Sequence, residues 1–434
     1  MKALLRGAQV ITMTPGRPDW ERVDVLVEGT RIADVGRDLD GGDAEVLDLS
    51  GRVVMPGLVN AHLHTWQTGL RTVGVDWTLS RYLTLAHGTL AGYYRPEDMR
   101  IASLAGALSQ LNSGVTTVGD WCHNTPTPEH SDAAIEGFLR SGIRTVFLHG
   151  RRYSLPEPHP VTEIDRLLAR SHELLTVGMA IPGPQLSPAD VAVADFRAAA
   201  ERGIVVSMHQ SGGDPQPAWD VVREARLFGP LTNIVHGAGL TDSWTRTLVD
   251  AGVSFTTTAE NELGQGHGAP ITARLLPIGA APSLGTDTDA VVPGDLLVSA
   301  RVALAQQRGL DHDHHRQAHG VFSHEPTVTA MQALRWATVE GARALGLADD
   351  VGRLEPGMRA DLIAVDARAL NLWPAHDPVA AALHAGVGDI ESVMVAGRWR
   401  KRDHTLVDVE VERVKEELAD SAGHIVAALG ATRS

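Results

Sequence analysis

The chain contains a single cysteine, Cys122, so no internal disulfide and no cysteine-rich zinc site can form. Lysine is nearly as scarce: Lys2, Lys401 and Lys415 are the only three among 38 basic residues. Aromatic residues make up 4% of the sequence. No run approaches the roughly 18 consecutive apolar residues that a membrane span requires. Acidic and basic residues are mixed along the chain and the net charge is −15, which argues against nucleic acid and anionic membrane as partners. The N-terminal stretch ALLRGAQVITM alternates polar and apolar residues instead of forming the apolar centre of a signal peptide, so a cytoplasmic location is expected. What the chain does have is length and apolar content. Its 434 residues, 43% of them hydrophobic, call for one large domain with a smaller one appended.

Residues 1–56 read as short strands broken by Gly- and Asp-rich turns, the pattern of half a small β-sandwich. From 57 to 345 β-branched runs alternate with longer Ala/Leu/Arg-rich stretches of helical period. The strand candidates are VVMPGLVNAHLH, VTTVGDW, RTVFLHG, LTVGMAIP, IVVSMHQ, NIVHG, VSFTTTA and APSLGTD. Eight strand-then-helix units predict an α/β fold of the TIM type, a (β/α)₈ barrel. Strand character returns over 346–404, completing the sandwich from the other chain end, and 405–434 read as a helical tail.

Polar residues fall where barrel strands should end. His62 and His64 are two apart on the first strand, so their side chains share a face. His209 ends the fifth run, His236 the sixth and Asp287 the eighth. One histidine at a strand end is usually a hydrogen-bonded structural residue, and a lone H-x-H is weak. The whole set, on the face where barrel enzymes build their sites, is much harder to obtain by accident.

The stretches MPGLVNAHLH, VHGAGLTD, SLGTDTD and GRLEPGMRADLIAVD, with the strand-end His209, resemble the amidohydrolase superfamily. The likeness is to the branch of cytosine, guanine and S-adenosylhomocysteine-type deaminases and triazine hydrolases. It implies that His62, His64, His209 and Asp287 hold a divalent metal, zinc first with iron or manganese as alternatives. It also implies that Asp287 moves protons and that His236 assists beside the nucleophile or substrate. Binuclear members bridge two metals through a lysine on strand four. No lysine lies in the barrel here, so one ion is expected. Family members often form oligomers, which makes a homo-oligomer the leaning.

Such parts suffice for adding water to an amide, amidine or electron-poor ring carbon, that is, for hydrolysing a C–N bond of a small heterocycle. Two positions depart from the resemblance. The deaminases carry a glutamate three residues after the strand-five histidine, where this chain has Gly212, and a second strand-six histidine, where it has Gly239. Asp214, Glu260 or Glu262 could substitute for the first. The same departure keeps open a non-hydrolytic alternative, a lyase or ring-rearranging biosynthetic enzyme. Trp66, Trp77 and Trp121 lie near strand ends, where flat indoles would suit a planar substrate as readily as they would serve packing. With Arg71, His123 and Glu260 they form the expected substrate-contacting set, His130 being a weaker candidate. The run DHDHH (311–315) reads as a solvated loop, and GQGHGA (264–269) lacks the βαβ context of a dinucleotide fingerprint.

Overall fold

The computed structural model describes residues 2–151 and 157–431. Its centre is an eight-stranded parallel sheet in which every strand pairs with the next in the chain. The strands are β1 (Leu58–Leu63), β2 (Val115–Cys122), β3 (Arg144–His149), β4 (Leu175–Ile181), β5 (Val206–Gln210), β6 (Thr232–His236), β7 (Ser254–Thr257) and β8 (Ser283–Leu284). They coincide with the eight runs read from the sequence. All residues of β1, β2 and β3 are buried, because helices cover one face and the barrel core the other.

The barrel closes at the site. Leu63 bridges Asp287, the N–H of Asp287 donates to the carbonyl of His62 at 3.1 Å, and the N–H of His64 donates to the carbonyl of Asp287 at 2.7 Å. Gly285 permits this approach, since a Cβ there would sit 2.7 Å from the His62 carbonyl oxygen.

The remaining strands build two mixed sheets. One has four strands, all from the N-terminal segment: Lys2–Arg6, Asp24–Glu28, Arg31–Gly36 and Glu45–Asp48. The other joins both chain ends, with Arg52–Pro56 beside Leu362–Asp366 and then Ile390–Val395. Alternation along these strands divides their side chains. Val54, Leu362, Ala364 and Met394 pack with Val25, Val27 and Ile32 of the smaller sheet, whereas Val53, Met55, Ile363 and Val393 turn to the barrel's core. A buried bidentate pair, Arg144 to Asp361 at 2.8 and 3.1 Å, ties β3 to this layer.

One element differs from expectation. The DHDHH run belongs to the helix Leu296–His319, capped by Asp295 through the N–H groups of Leu297 and Val298 and ended by Gly320 at φ 70°. Its polar residues are the exposed end of a long helix, which hydrophilicity alone does not separate from a loop.

Candidate metal centre

At the C-terminal mouth of the barrel, His62 and His64 project from β1 and the loop after it, His209 from β5, His236 from the end of β6, and Asp287 from just beyond β8. His209 Nε2 is 3.2 Å from His62 Nε2, and Asp287 Oδ1 lies 3.4 Å from Nε2 of both His62 and His64. A tetrahedral site with metal–nitrogen bonds of ~2.0–2.1 Å has edges of roughly 3.3–3.4 Å, so the spacing fits an ion such as zinc.

Protonation strengthens that fit. His64 Nδ1 donates to the carbonyl of Trp121 at 2.8 Å, which leaves a lone pair on Nε2 of the neutral ring. Burial and the neighbouring His62 hold His64 well below the ordinary histidine range. Burial and the nearby imidazoles do the same to His209, and burial also lowers His62. At Asp287 burial is outweighed by His62, His236 and His64, and its carboxyl stays well below the usual carboxylate value. The His64 lone pair therefore faces a carboxylate oxygen. Two acceptors at 3.4 Å repel unless a cation lies between them.

His236 is set differently. Its Nδ1 donates to Oε1 of Glu262 at 3.1 Å, and its Nε2 is 3.8 Å from Asp287 Oδ2. Burial alone would lower its pKa, but the bond to Glu262 and the charges of Asp287 and Glu262 raise it. Asp287 Oδ2 also accepts the Asn261 amide at 2.7 Å. Both His236 (φ 69°) and Asp287 (φ 64°) adopt the left-handed backbone conformation, which costs about 1–2 kcal/mol for a side-chain-bearing residue and is common at functional sites.

These groups open into a cavity of about 590 Å³. The β1–β2 connection contributes Leu79, Tyr82, Leu83 and His87 to its wall, the short helix after β4 Gln185 and Leu186, the loop after β5 Ser211 and Gly212, and the loop beyond β7 His267.

The expected metal-site residues thus come together, as does His236, but the expected substrate contacts do not line the cavity. Trp66 and Trp121 are fully buried behind the histidines. The Trp66 indole donates to His123 Nδ1 at 3.2 Å, and the Trp121 ring packs 4.4 Å from His209. His123 lies against His64 and His87, with ring centroids at 4.5 and 4.2 Å. Trp77 packs over Gly74. Arg71 turns to Asp289, with Nη2 at 3.1 Å. Glu260 is half-buried and faces Asp295 and Arg301. His130 is buried, with Nε2 at the Tyr94 carbonyl, and Asp214 is exposed. Large apolar rings near strand ends were claimed by packing, and the arginine by a carboxylate.

Two residues, His87 and His267, had no role in the sequence reading, and a third had a different one. Glu262, named there only as a substitute for the glutamate missing at 212, instead holds His236. His87 and His267 border the cavity, and burial pushes His267 down to about 3. The Gly-rich surroundings of His267 masked it; the signal available was a histidine in the loop beyond a barrel strand's C-terminal end. Gly239 admits no side chain, since a Cβ would collide with the carbonyl of Gly213.

Comparison with known proteins agrees with the fold. A 5'-deoxyadenosine deaminase of Methanothermobacter thermautotrophicus is 28% identical over 427 residues, covering 92% of this chain and 94% of the relative. A 5-methylthioadenosine/S-adenosylhomocysteine deaminase of Desulforamulus reducens is 26% identical over 98% of this chain and 99% of its own. Among solved structures, zinc-bound atrazine chlorohydrolase TrzN of Arthrobacter aurescens superposes with a TM-score of 0.84 at 22% identity, over 97% of this chain and all of that one. The model of the amidohydrolase family matches residues 53–400, and the chain belongs to that family as a deaminase-like enzyme.

Proposed function

We propose that the protein is a mononuclear metallohydrolase that cleaves a C–N bond of a small, planar nitrogen heterocycle, deamination of an amino-substituted ring being its leading form. The observation that carries this reading is the lone pair of His64 Nε2 facing Asp287 Oδ1 at 3.4 Å within a cluster of buried imidazoles. His62, His64, His209 and Asp287 would hold one divalent ion, zinc in preference because the solved relatives contain zinc. The chemistry available from such an ion, when bound, is acidification of water and polarisation of the substrate carbon.

The protein's own groups do the rest. Asp287 takes the water's proton at Oδ2, the oxygen turned to His236 and Asn261, and delivers it to the departing nitrogen. His236 Nε2 hydrogen-bonds the attacking water and orients it toward the ring carbon, its ring kept in place by Glu262. Leu79, Leu83 and Leu186 supply apolar walls for a flat ring. The relatives named above act on 5'-deoxyadenosine, 5-methylthioadenosine or S-adenosylhomocysteine, and atrazine, all bearing amino-substituted nitrogen rings, which supports the same substrate class here.

The test is ammonia release by protein loaded with Zn²⁺, Fe²⁺ or Mn²⁺, across amino-purines, amino-pyrimidines, amino-triazines and pterins. The expected result is one bound ion per chain and ammonia from at least one class, with oxygen from labelled water in the product. His209→Ala should abolish both ion and turnover in a folded protein. Silence across the panel in metal-replete protein, or unchanged turnover in His209→Ala, overturns the reading.

A further inference from the structure

His267 has no part in the steps above, yet its ring borders the cavity and packs 4.4 Å from the ring of His236. One of its ring nitrogens lies within 4.8 Å of donor atoms of His236 and Asp287. Hydrogen bonding determines which nitrogen bears its proton. Asp287 Oδ2 is an acceptor, so the group 2.7 Å away must be the amide nitrogen of Asn261, and the orientation of that side chain follows. The same Asn261 nitrogen donates its second proton to Oε1 of Gln265 at 3.3 Å, which places the oxygen of Gln265, not its nitrogen, beside His267. His267 Nε2 lies 3.0 Å from that oxygen and must donate to it. In the neutral ring, Nδ1 therefore keeps a lone pair. It is buried and has no hydrogen-bond partner among the described residues.

A buried acceptor without a partner is costly unless a ligand completes it. Gly212, which also lines the cavity, brings no side chain to the region; a Cβ there would meet only the backbone oxygen of His267, at 3.7 Å. We propose that His267 Nδ1 is a substrate-recognition site that accepts an N–H from the ring being hydrolysed. The cavity then selects amino-oxo heterocycles whose amino-bearing carbon adjoins a protonated ring nitrogen, in preference to rings with a bare nitrogen at that place. This rests on the hydrolase reading, and it predicts a preference that separates this chain from enzymes of adenosine-type substrates.

Two measurements on the zinc-loaded protein test it. The first is ¹⁵N–¹H correlation of the His267 ring without ligand. The Nε2–H tautomer is expected, and an Nδ1–H ring overturns the proposal. The second is titration calorimetry with isocytosine, which carries an N–H beside its amino-bearing carbon, and with cytosine, which presents a bare nitrogen there. Isocytosine should bind at least about 10-fold more tightly. His267→Phe should erase that preference with zinc content unchanged, and His267→Gln, which retains an acceptor, should restore part of it. Equal binding, a preference for cytosine, a preference that survives in His267→Phe, or no binding of either ring overturns the proposal. Failure of the hydrolase reading shows separately, as absent zinc or absent ammonia release in the wild-type protein.

Discussion

Nδ1 of His236 lies 3.1 Å from Oε1 of Glu262, and neither side chain is more than 2% exposed. Glu262 is itself held on both oxygens: Oε1 accepts the N–H of Thr258 at 2.8 Å and Oε2 the hydroxyl of Thr257 at 2.6 Å. The carboxylate therefore has fixed acceptors only, and the imidazole is locked with Nδ1–H toward it and Nε2 toward Asp287.

Glu262→Ala should lower kcat by about 10²-fold with little change in KM, because it removes orientation of a group needed in the transition state and no contact with substrate. Glu262→Gln, which can still present an oxygen to Nδ1, should fall between. Steady-state kinetics on whichever ring releases ammonia would decide. A full-rate Glu262→Ala enzyme would show that His236 needs no such support.

Gly212 offers a gain-of-function counterpart. The space around its Cβ position holds only one backbone oxygen within 4 Å, and its φ is outside the left-handed range, so Gly212→Glu should fold with a Tm within a few degrees of wild type. A carboxyl group there can protonate a bare ring nitrogen, a contribution of about 10²-fold or more where a general acid is otherwise lacking. The kcat/KM for adenine-type rings should rise at least 10-fold over that of the parent. No rise in a well-folded variant would mean that the carboxyl cannot reach the ring.

Most of the barrel was legible because parallel strands buried on both faces leave β-branched runs, and its candidate site because side chains that converge at a barrel mouth must stand at strand ends. His62, His64, His209 and Asp287 carried that signal directly. Their partners did not. Glu262 lies in AENELGQ, which reads as the polar start of any helix, and only its buried environment distinguishes it from Glu260 two residues earlier. The tryptophans misled for a related reason. Position along a strand says how near a ring is to the barrel mouth, but not whether it faces the cavity or fills the layer behind it, as Trp66 and Trp121 do. Closure of the barrel through His62, His64 and Asp287 joins distant segments; no local pattern encodes it, but eight strand-then-helix units imply it, because closing such a barrel makes the eighth strand the neighbour of the first.

The Arg144–Asp361 pair makes a prediction about stability alone. Both side chains are nearly inaccessible, and Asp361 Oδ1 also accepts the N–H of Ala396 at 2.7 Å. Asp361→Ala strands a buried guanidinium and should cost about 3–5 kcal/mol in urea unfolding, whereas Arg144→Met with Asp361→Leu should cost much less. If the double variant is as unstable as the single one, packing and not charge is what the pair supplies.

Asp195 sets a pH dependence outside the candidate metal centre. Burial pushes its carboxyl up to about 6 from 3.8, only partly countered by the N–H of His159 at 2.7 Å and by Arg151. Between those two values the native protein binds a proton that the unfolded chain has released, so this group's contribution to stability is greatest below pH 3.8 and declines as pH rises toward 6. At about 1.4 kcal/mol per unit, its burial as a charged group costs about 2–3 kcal/mol above that range. Asp195→Asn keeps an oxygen for His159 and imitates the protonated acid. Its stability advantage over wild type should grow by about 1–2 kcal/mol between pH 5 and pH 8, as read by urea unfolding at each pH. An advantage that is the same at both would mean that Asp195 does not change protonation over this interval.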